Sequence, residues 1–146
     1  MRELIGEPLG PSEWRTITQA DIDVFAELSG DHQWIHVDPR RAREESPFGT
    51  TIAHGNLTLA TVDGFRRQLL EPTGFAYGLN YGWNKIRFPA PVPVDSRIRA
   101  SLEIVELEEI AGGWLQMITR ITLEIEGGDK PCFVGDSVSR LMAPAA

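Results

Sequence analysis

The sequence predicts an α+β domain in which an antiparallel sheet wraps a central helix, and two observations predict it. Residues 55–70 hold Leu57, Leu59, Ala60, Val62, Phe65, Leu69 and Leu70, apolar on more than one face and nearly uncharged until Arg66-Arg67. Such a helix belongs in a core. After Gly74 the hydrophobic period changes from 3.6 to 2, which is the signature of strands with one dry face. One dry sheet face and one buried helix then pack as two layers.

The elements follow in chain order. A short strand is expected near residues 14–17. Thr18 and Asp21 form a capping box with Asp in place of Glu, and Ile22, Phe25, Ala26 and Ser29 recur at i, i+3, i+4, i+7, so a helix is expected at about 19–29. Gly30 suits the left-handed residue that closes a helix, which turns the chain sharply into Asp31. Asp38-Pro39 reads as an N-cap and first-turn pair opening a short helix to about Glu45, ended by Ser46-Pro47-Phe48-Gly49. In the helix at 55–70, Gly64 costs about 1 kcal/mol relative to Ala, a cost explained if another backbone passes close by.

A strand is expected near residues 77–88. Ile98, Ala100, Leu102 and Ile104 alternate with Arg97, Arg99, Ser101 and Glu103. Leu115, Met117, Thr119, Ile121, Leu123 and Ile125 repeat the pattern, and a last strand runs from Cys132 to Leu141. Gly112-Gly113 and Gly127-Gly128 mark the turns between these three. Five or six strands leave open edges that one helix cannot cover, so a second copy is expected to extend the sheet as a homodimer.

The chain has 146 residues, 42% hydrophobic, with 14 basic against 21 acidic side chains and a net charge of −7. It is expected to form one domain over residues 1–146, able to bury roughly 70% of the surface that an unfolded chain exposes. The acidic balance disfavours nucleic acid as a partner, because phosphate binding needs clustered Lys and Arg. No apolar run approaches the roughly 18 residues of a membrane span. The single cysteine, Cys132, cannot form an internal bridge, and no charged-then-apolar leader opens the sequence, so the expected location is cytoplasmic.

Chemistry has few places to reside. Cys132 lies on an apolar alternation and reads as a small buried hydrophobe. His32, His36 and His54 make no metal-binding spacing; an Asp31–His32–His36 site is conceivable in a loop, but no metal is the expectation. No nucleotide-binding glycine loop is present. The segment Leu28-Ser-Gly-Asp-His-Gln-Trp-Ile-His-Val-Asp38 leaves a helix through Gly30 and puts Asp31 and His36 five residues apart, able to converge. Two readings are open: an acid/base pair around a water, or a turn carboxylate beside an ordinary hydrogen-bonding imidazole. In Thr51-Ile52-Ala53-His54-Gly55-Asn56, Gly55 either lets a carbonyl approach helix amides or eases helix–sheet packing, and His54 is expected simply to cap the turn. Asn80-Tyr81-Gly82-Trp83-Asn84-Lys85-Ile86-Arg87-Phe88-Pro89 reads as a polar, aromatic strand or a protected sheet edge.

Three ordered motifs resemble one family. The string Phe25…Ser29-Gly30-Asp31-x-x-x-x-His36-x-Asp38, then Phe48-Gly49-x-x-Ile52-Ala53-His54-Gly55, then Arg87-Phe88-x-x-Pro91-Val92 resemble the MaoC-like dehydratases, or (R)-specific enoyl-CoA hydratases of type 2. The resemblance spans about residues 14–142 and is nearest to the nodulation-protein-N-like branch. It implies a hot-dog fold, a homodimer, an acyl-CoA ligand and no cofactor. It also implies that Asp31 and His36 hold and activate water and that the Gly55 N–H polarises the thioester carbonyl. Gln33-Trp34 stands where the family commonly has Asn-Pro, and Asp63 falls near a Ser that supports the catalytic Asp in some members.

The resulting expectation is reversible addition of water to a trans-2-enoyl-CoA, giving an (R)-3-hydroxyacyl-CoA. Asn80, Tyr81 and Asn84 are expected to line the acyl or pantetheine channel, with Lys85, Arg87, Arg97 or Arg99 as candidates for the nucleotide phosphates. Trp34, Phe65, Phe75 and Trp83 are candidates to set pocket depth. Hot-dog domains also host thioesterases and silent acyl-thioester-binding subunits, and fold alone does not separate these.

Overall fold

The structure is a computed structural model that describes residues 1–145. Helix α1, Gln19–Ser29, is capped by Thr18, whose side chain accepts from the Asp21 amide while the Asp21 carboxylate accepts from the Thr18 amide. Gly30 closes it at φ 76. Asp38 caps the short helix α3, Pro39–Glu45, by accepting from the Arg41 amide. Between them stands a helical turn, α2 (Trp34–Val37), where a loop is expected from sequence. Its causes are a turn bond from the Gln33 amide to the Asp31 carboxylate and a tie from Ile52 N–H to the Ile35 carbonyl.

The expected helix at 55–70 is divided into α4, Gly55–Ala60, and α5, Val62–Leu69. At Thr61 the amide is shared between the Leu57 and Thr58 carbonyls, and the Thr61 hydroxyl also donates to the Thr58 carbonyl at 2.7 Å. These bonds tighten one turn without breaking the path, since Thr61 keeps right-handed helical angles. Gly64 corrects another expectation. It is exposed, and nothing in this chain comes within 4 Å of a side chain placed there.

Six strands make one antiparallel sheet: β1 (Pro8–Leu9), β2 (Arg15–Thr16), β3 (Tyr77–Arg87), β4 (Arg97–Ile110), β5 (Trp114–Ile125) and β6 (Pro131–Met142). The order is β1-β4-β5-β6-β3, with β2 also on β4. Ile98, Ala100 and Leu102 of β4, Ile121 and Leu123 of β5 and Phe133 of β6 form the core with Leu57, Val62 and Phe65 of α4 and α5. The sheet thus holds the helix by its dry face, as the alternation predicts. On the other face Arg97 pairs with Glu126, Arg99 with Glu124 and Arg120 with Asp136.

Strand β3 ends the sheet. It pairs with β6 on one side only, and Tyr77, Leu79 and Tyr81 are each about half exposed or more. Among the described residues, no helix is long and apolar enough to cross a membrane.

Candidate active site

The turn after α1, the turn α2 and the start of α4 meet at one point. One side-chain atom each from Asp31, His36 and His54 lie within 4.8 Å of one another. His36 is buried, and its Nδ1–H donates to the Ile52 carbonyl at 2.6 Å. A carbonyl only accepts, so the hydrogen belongs on Nδ1 and Nε2 is left with its lone pair. The His54 Nε2–H donates to the Asp31 carbonyl at 2.9 Å. The two imidazoles stack with centroids 3.9 Å apart and planes 25° apart, and Phe25 packs on His54 at 5.0 Å. The carboxylate of Asp31 accepts from the Gln33 amide and remains solvent-accessible in this chain. Asp31 thus shapes the turn and stands beside an imidazole.

His36 opens into a cleft of about 330 Å³ whose walls include Ile52, Gly55, Thr58, Phe88, Pro91 and Cys132. Gly55 is the first residue of α4, so its amide has no partner within the helix. A side chain at this position would meet the Phe88 ring at 3.1 to 3.2 Å, so the packing reading of Gly55 holds too. The three ordered motifs are brought together here: Asp31 and His36 from the first, His54 and Gly55 from the second, Phe88 and Pro91 from the third.

Residues 1–124 match the MaoC like domain. The chain belongs to the MaoC-like dehydratase family. It is 49% identical to 3-hydroxyacyl-thioester dehydratase Z of Mycobacterium tuberculosis over 138 residues, 94% of this chain and 91% of that protein. It is 40% identical to nodulation protein N of Rhizobium leguminosarum bv. viciae over 139 residues, 92% of this chain and 84% of that protein. Among solved structures it resembles the (R)-hydratase from A. caviae involved in PHA biosynthesis, with a TM-score of 0.72 and 26% identity, covering 96% of each chain. The sheet around a helix is the hot-dog fold of the solved relative, and the names dehydratase and hydratase make the family's chemistry that of a hydro-lyase.

Within this MaoC-like frame the electrostatics favour an uncharged His36. Burial is the largest influence and lowers its pKa from the ordinary 6.5; the bond to Ile52 opposes this, His54 adds to it and Asp31 opposes it. Cys132 is buried beside the cleft, with its thiol pushed up to about 12 by burial, so it is no nucleophile at neutral pH. The conceivable metal trio of Asp31, His32 and His36 does not form, because His32 lies outward beside Glu27 at 3.6 Å. His54 takes its place in the cluster. The stacked rings hold their in-plane lone pairs in nearly parallel planes, which do not converge on one ion.

Other expected site residues lie elsewhere. Asp63 pairs with Arg66 at 2.9 Å on the outward side of α5 and is not part of the Asp31 cluster. Asn80 pairs across the sheet with Ser139, whose hydroxyl accepts from Arg66, so Asn80 is on the helix side. It lines a separate cavity of about 370 Å³ with Phe75, at the far end of α5. Tyr81 lies under the Arg140 guanidinium, and Asn84 pairs across from Asp136; both are on the opposite face. Arg97 and Arg99 are engaged by Glu126 and Glu124 and by the Trp14 ring, whereas Lys85 and Arg87 are exposed without an ion pair among the described residues. Phe65 is in the core and Trp83 packs edge-on to Phe133, so neither reaches the His36 cleft. Trp34 is covered by Arg41 at 4.4 Å.

Proposed function

We propose that this chain is an (R)-specific enoyl-CoA hydratase, adding water reversibly to a trans-2-enoyl-CoA to give an (R)-3-hydroxyacyl-CoA, without a cofactor. The observation that carries the reading is the convergence of Asp31 and His36 beside the cleft that Gly55 also lines. A carboxylate and an imidazole Nε2 are both acceptors at neutral pH, so a water between them donates both hydrogens and keeps a lone pair for Cβ. As the oxygen bonds to Cβ, the double-bond electrons move toward the thioester, whose oxygen carries the charge against the Gly55 N–H. The water's proton passes to the pair and then to Cα, which re-forms the thioester carbonyl. No electron is gained or lost.

The names of the relatives support the same chemistry. One is named a 3-hydroxyacyl-thioester dehydratase and another an (R)-hydratase, and both names describe the loss or gain of water rather than a thioesterase's bond cleavage. With crotonyl-CoA and a medium-chain enoyl-CoA, the enoyl-thioester absorbance is expected to fall, with an (R)-3-hydroxyacyl product and no free thiol. Thiol release would instead identify a thioesterase, and binding of the thioester without turnover would identify a silent subunit.

Of the expected channel residues, the proposal keeps Asn80, which is on the helix side of the sheet, and gives Tyr81 and Asn84 no substrate contact. The proposal extends to a single hot-dog domain acting as a homodimer. Strand β3 is 11 residues long, open on one side, and carries exposed Tyr77, Leu79 and Tyr81, an edge that pairing with a second β3 would cover. Sedimentation of the chain alone is expected to give twice 16.2 kDa. A monomer that gains activity only with another protein would overturn this part.

The acid side of the rate profile is also set. Protonating His36 removes the Nε2 lone pair, and burial lowers its pKa, so its uncharged form persists below the ordinary value of 6.5. The acid limb of kcat/KM for crotonyl-CoA is therefore expected below pH 6.5. An acid limb above that value would mean that another group limits the rate.

A further inference from the structure

We infer that His54 is a positioning residue for the hydration reaction, holding the Asp31 main chain and the His36 ring in one fixed arrangement. The inference rests on the hydratase reading of Asp31 and His36. Its ground is how the Asp31 turn is tied down. The Asp31 amide donates to the Ser29 hydroxyl and the Asp31 carboxylate accepts from the Gln33 amide, each at 3.2 Å and each two residues away. These bonds shape the turn but tie it only to itself. The 2.9 Å bond from His54 Nε2–H to the Asp31 carbonyl spans 23 residues and fastens the turn to the residue that precedes α4.

The same ring is the surface on which His36 rests, 3.9 Å away and nearly parallel. Phe25 of α1 closes the other side of His54. His54 is 3% exposed, and its Nδ1 is buried with no hydrogen-bond partner among the described residues. A ring placed only to cap a turn would not bury a nitrogen unsatisfied, since such burial is costly. The arrangement makes sense if the ring's place is dictated by its two neighbours: Asp31 above Nε2 and His36 across its face. Those are the titratable groups set against it; Phe25 and Thr58, whose hydroxyl is directed to the His54 carbonyl at 3.4 Å, are uncharged.

Two variants separate the two contacts. His54→Phe keeps a flat ring against His36 and loses the donor to Asp31. His54→Gln keeps an amide N–H near the Nε2 position and loses the stack. In each, kcat for crotonyl-CoA is expected to fall about tenfold or more with KM within about twofold, because positioning errors of about 1 Å act on the reaction more than on binding. His54→Gln is expected to recover part of the kcat lost in His54→Phe. In His54→Phe the acid limb should move up toward the ordinary histidine value, since the imidazole beside His36 contributes to holding it low.

Asp31→Asn and His36→Asn are measured alongside. If these two are inactive while both His54 variants keep wild-type kcat and acid limb, the positioning role is overturned and the hydratase site stands. If the His54 variants lose activity only in step with Tm, with the acid limb unmoved, His54 is structural and the inference fails. If Asp31→Asn and His36→Asn stay active, the site itself is misassigned and His54 has no pair to position. Should His54→Phe not fold, the kcat and KM of His54→Gln decide by themselves: wild-type values overturn the role.

Discussion

Asp31→Asn is expected to lower kcat/KM for crotonyl-CoA by about 10²- to 10⁴-fold, the range for losing a positioned acid/base group, or roughly 3 to 5 kcal/mol in the barrier. The fold should hardly notice. The Asn side-chain oxygen can still accept from the Gln33 amide, so the turn after Gly30 keeps its bond. The carboxylate is exposed in this chain and pairs with no cation among the described residues, so stability loses little with its charge. His36→Asn should produce a loss of the same order for a different reason. The Asn amide can replace Nδ1–H on the Ile52 carbonyl but offers nothing where Nε2 stood. Tm, dimer mass and CoA-ester binding are measured beside the rates. A variant that keeps Tm and binding but loses hydration places the chemistry on that side chain, and wild-type turnover in both variants would remove the pair from the mechanism.

What the sequence makes legible here is local. Thr18 and Asp21 sit three residues apart, and Gly30 needs only its own backbone freedom, so the bounds of α1 can be read from neighbours in the chain. The dry alternations of β4 and β5 are equally local. What is not legible depends on contacts across the chain. The turn α2 is completed by Ile52, and the part played by His54 is fixed by Asp31 and His36. Strand β3 shows the limit most directly. Strict alternation would put Asn80 and Asn84 on one face, but a shift in pairing between Asn80 and Gly82 leaves Asn80 opposite Ser139 and Asn84 opposite Asp136. Ser139 and Asp136 are an odd number of residues apart, hence on opposite faces, and no one-strand pattern reveals where such a bulge falls.

Gly55→Ala keeps the backbone N–H but sets a methyl group beside it, and if that amide faces the thioester oxygen, crowding the oxygen away from its donor should cost up to about 10²- to 10³-fold in kcat, the scale of losing one oxyanion donor. The new methyl group meets three atoms of the Phe88 ring at 3.1 to 3.2 Å, so one of the two must give by a few tenths of an ångström. Phe88 has room on its exposed side but leans on Phe133 with centroids 5.8 Å apart, which limits how far it yields. A stability cost of about 1 kcal/mol, at the low end for overpacking, is therefore expected alongside the rate loss. The two readings of Gly55, packing and polarisation, separate in the double variant Gly55→Ala/Phe88→Leu. Removing the ring relieves the contact whatever the amide does. If Gly55 serves only the packing of α4 on the sheet, the double variant should recover both Tm and kcat. If the amide binds the thioester oxygen, the methyl group still stands in the cleft beside it, so Tm should recover while kcat stays low. Recovery of both would show that a methyl group beside the residue-55 amide does not hinder the thioester, so that the glycine serves packing against Phe88 alone.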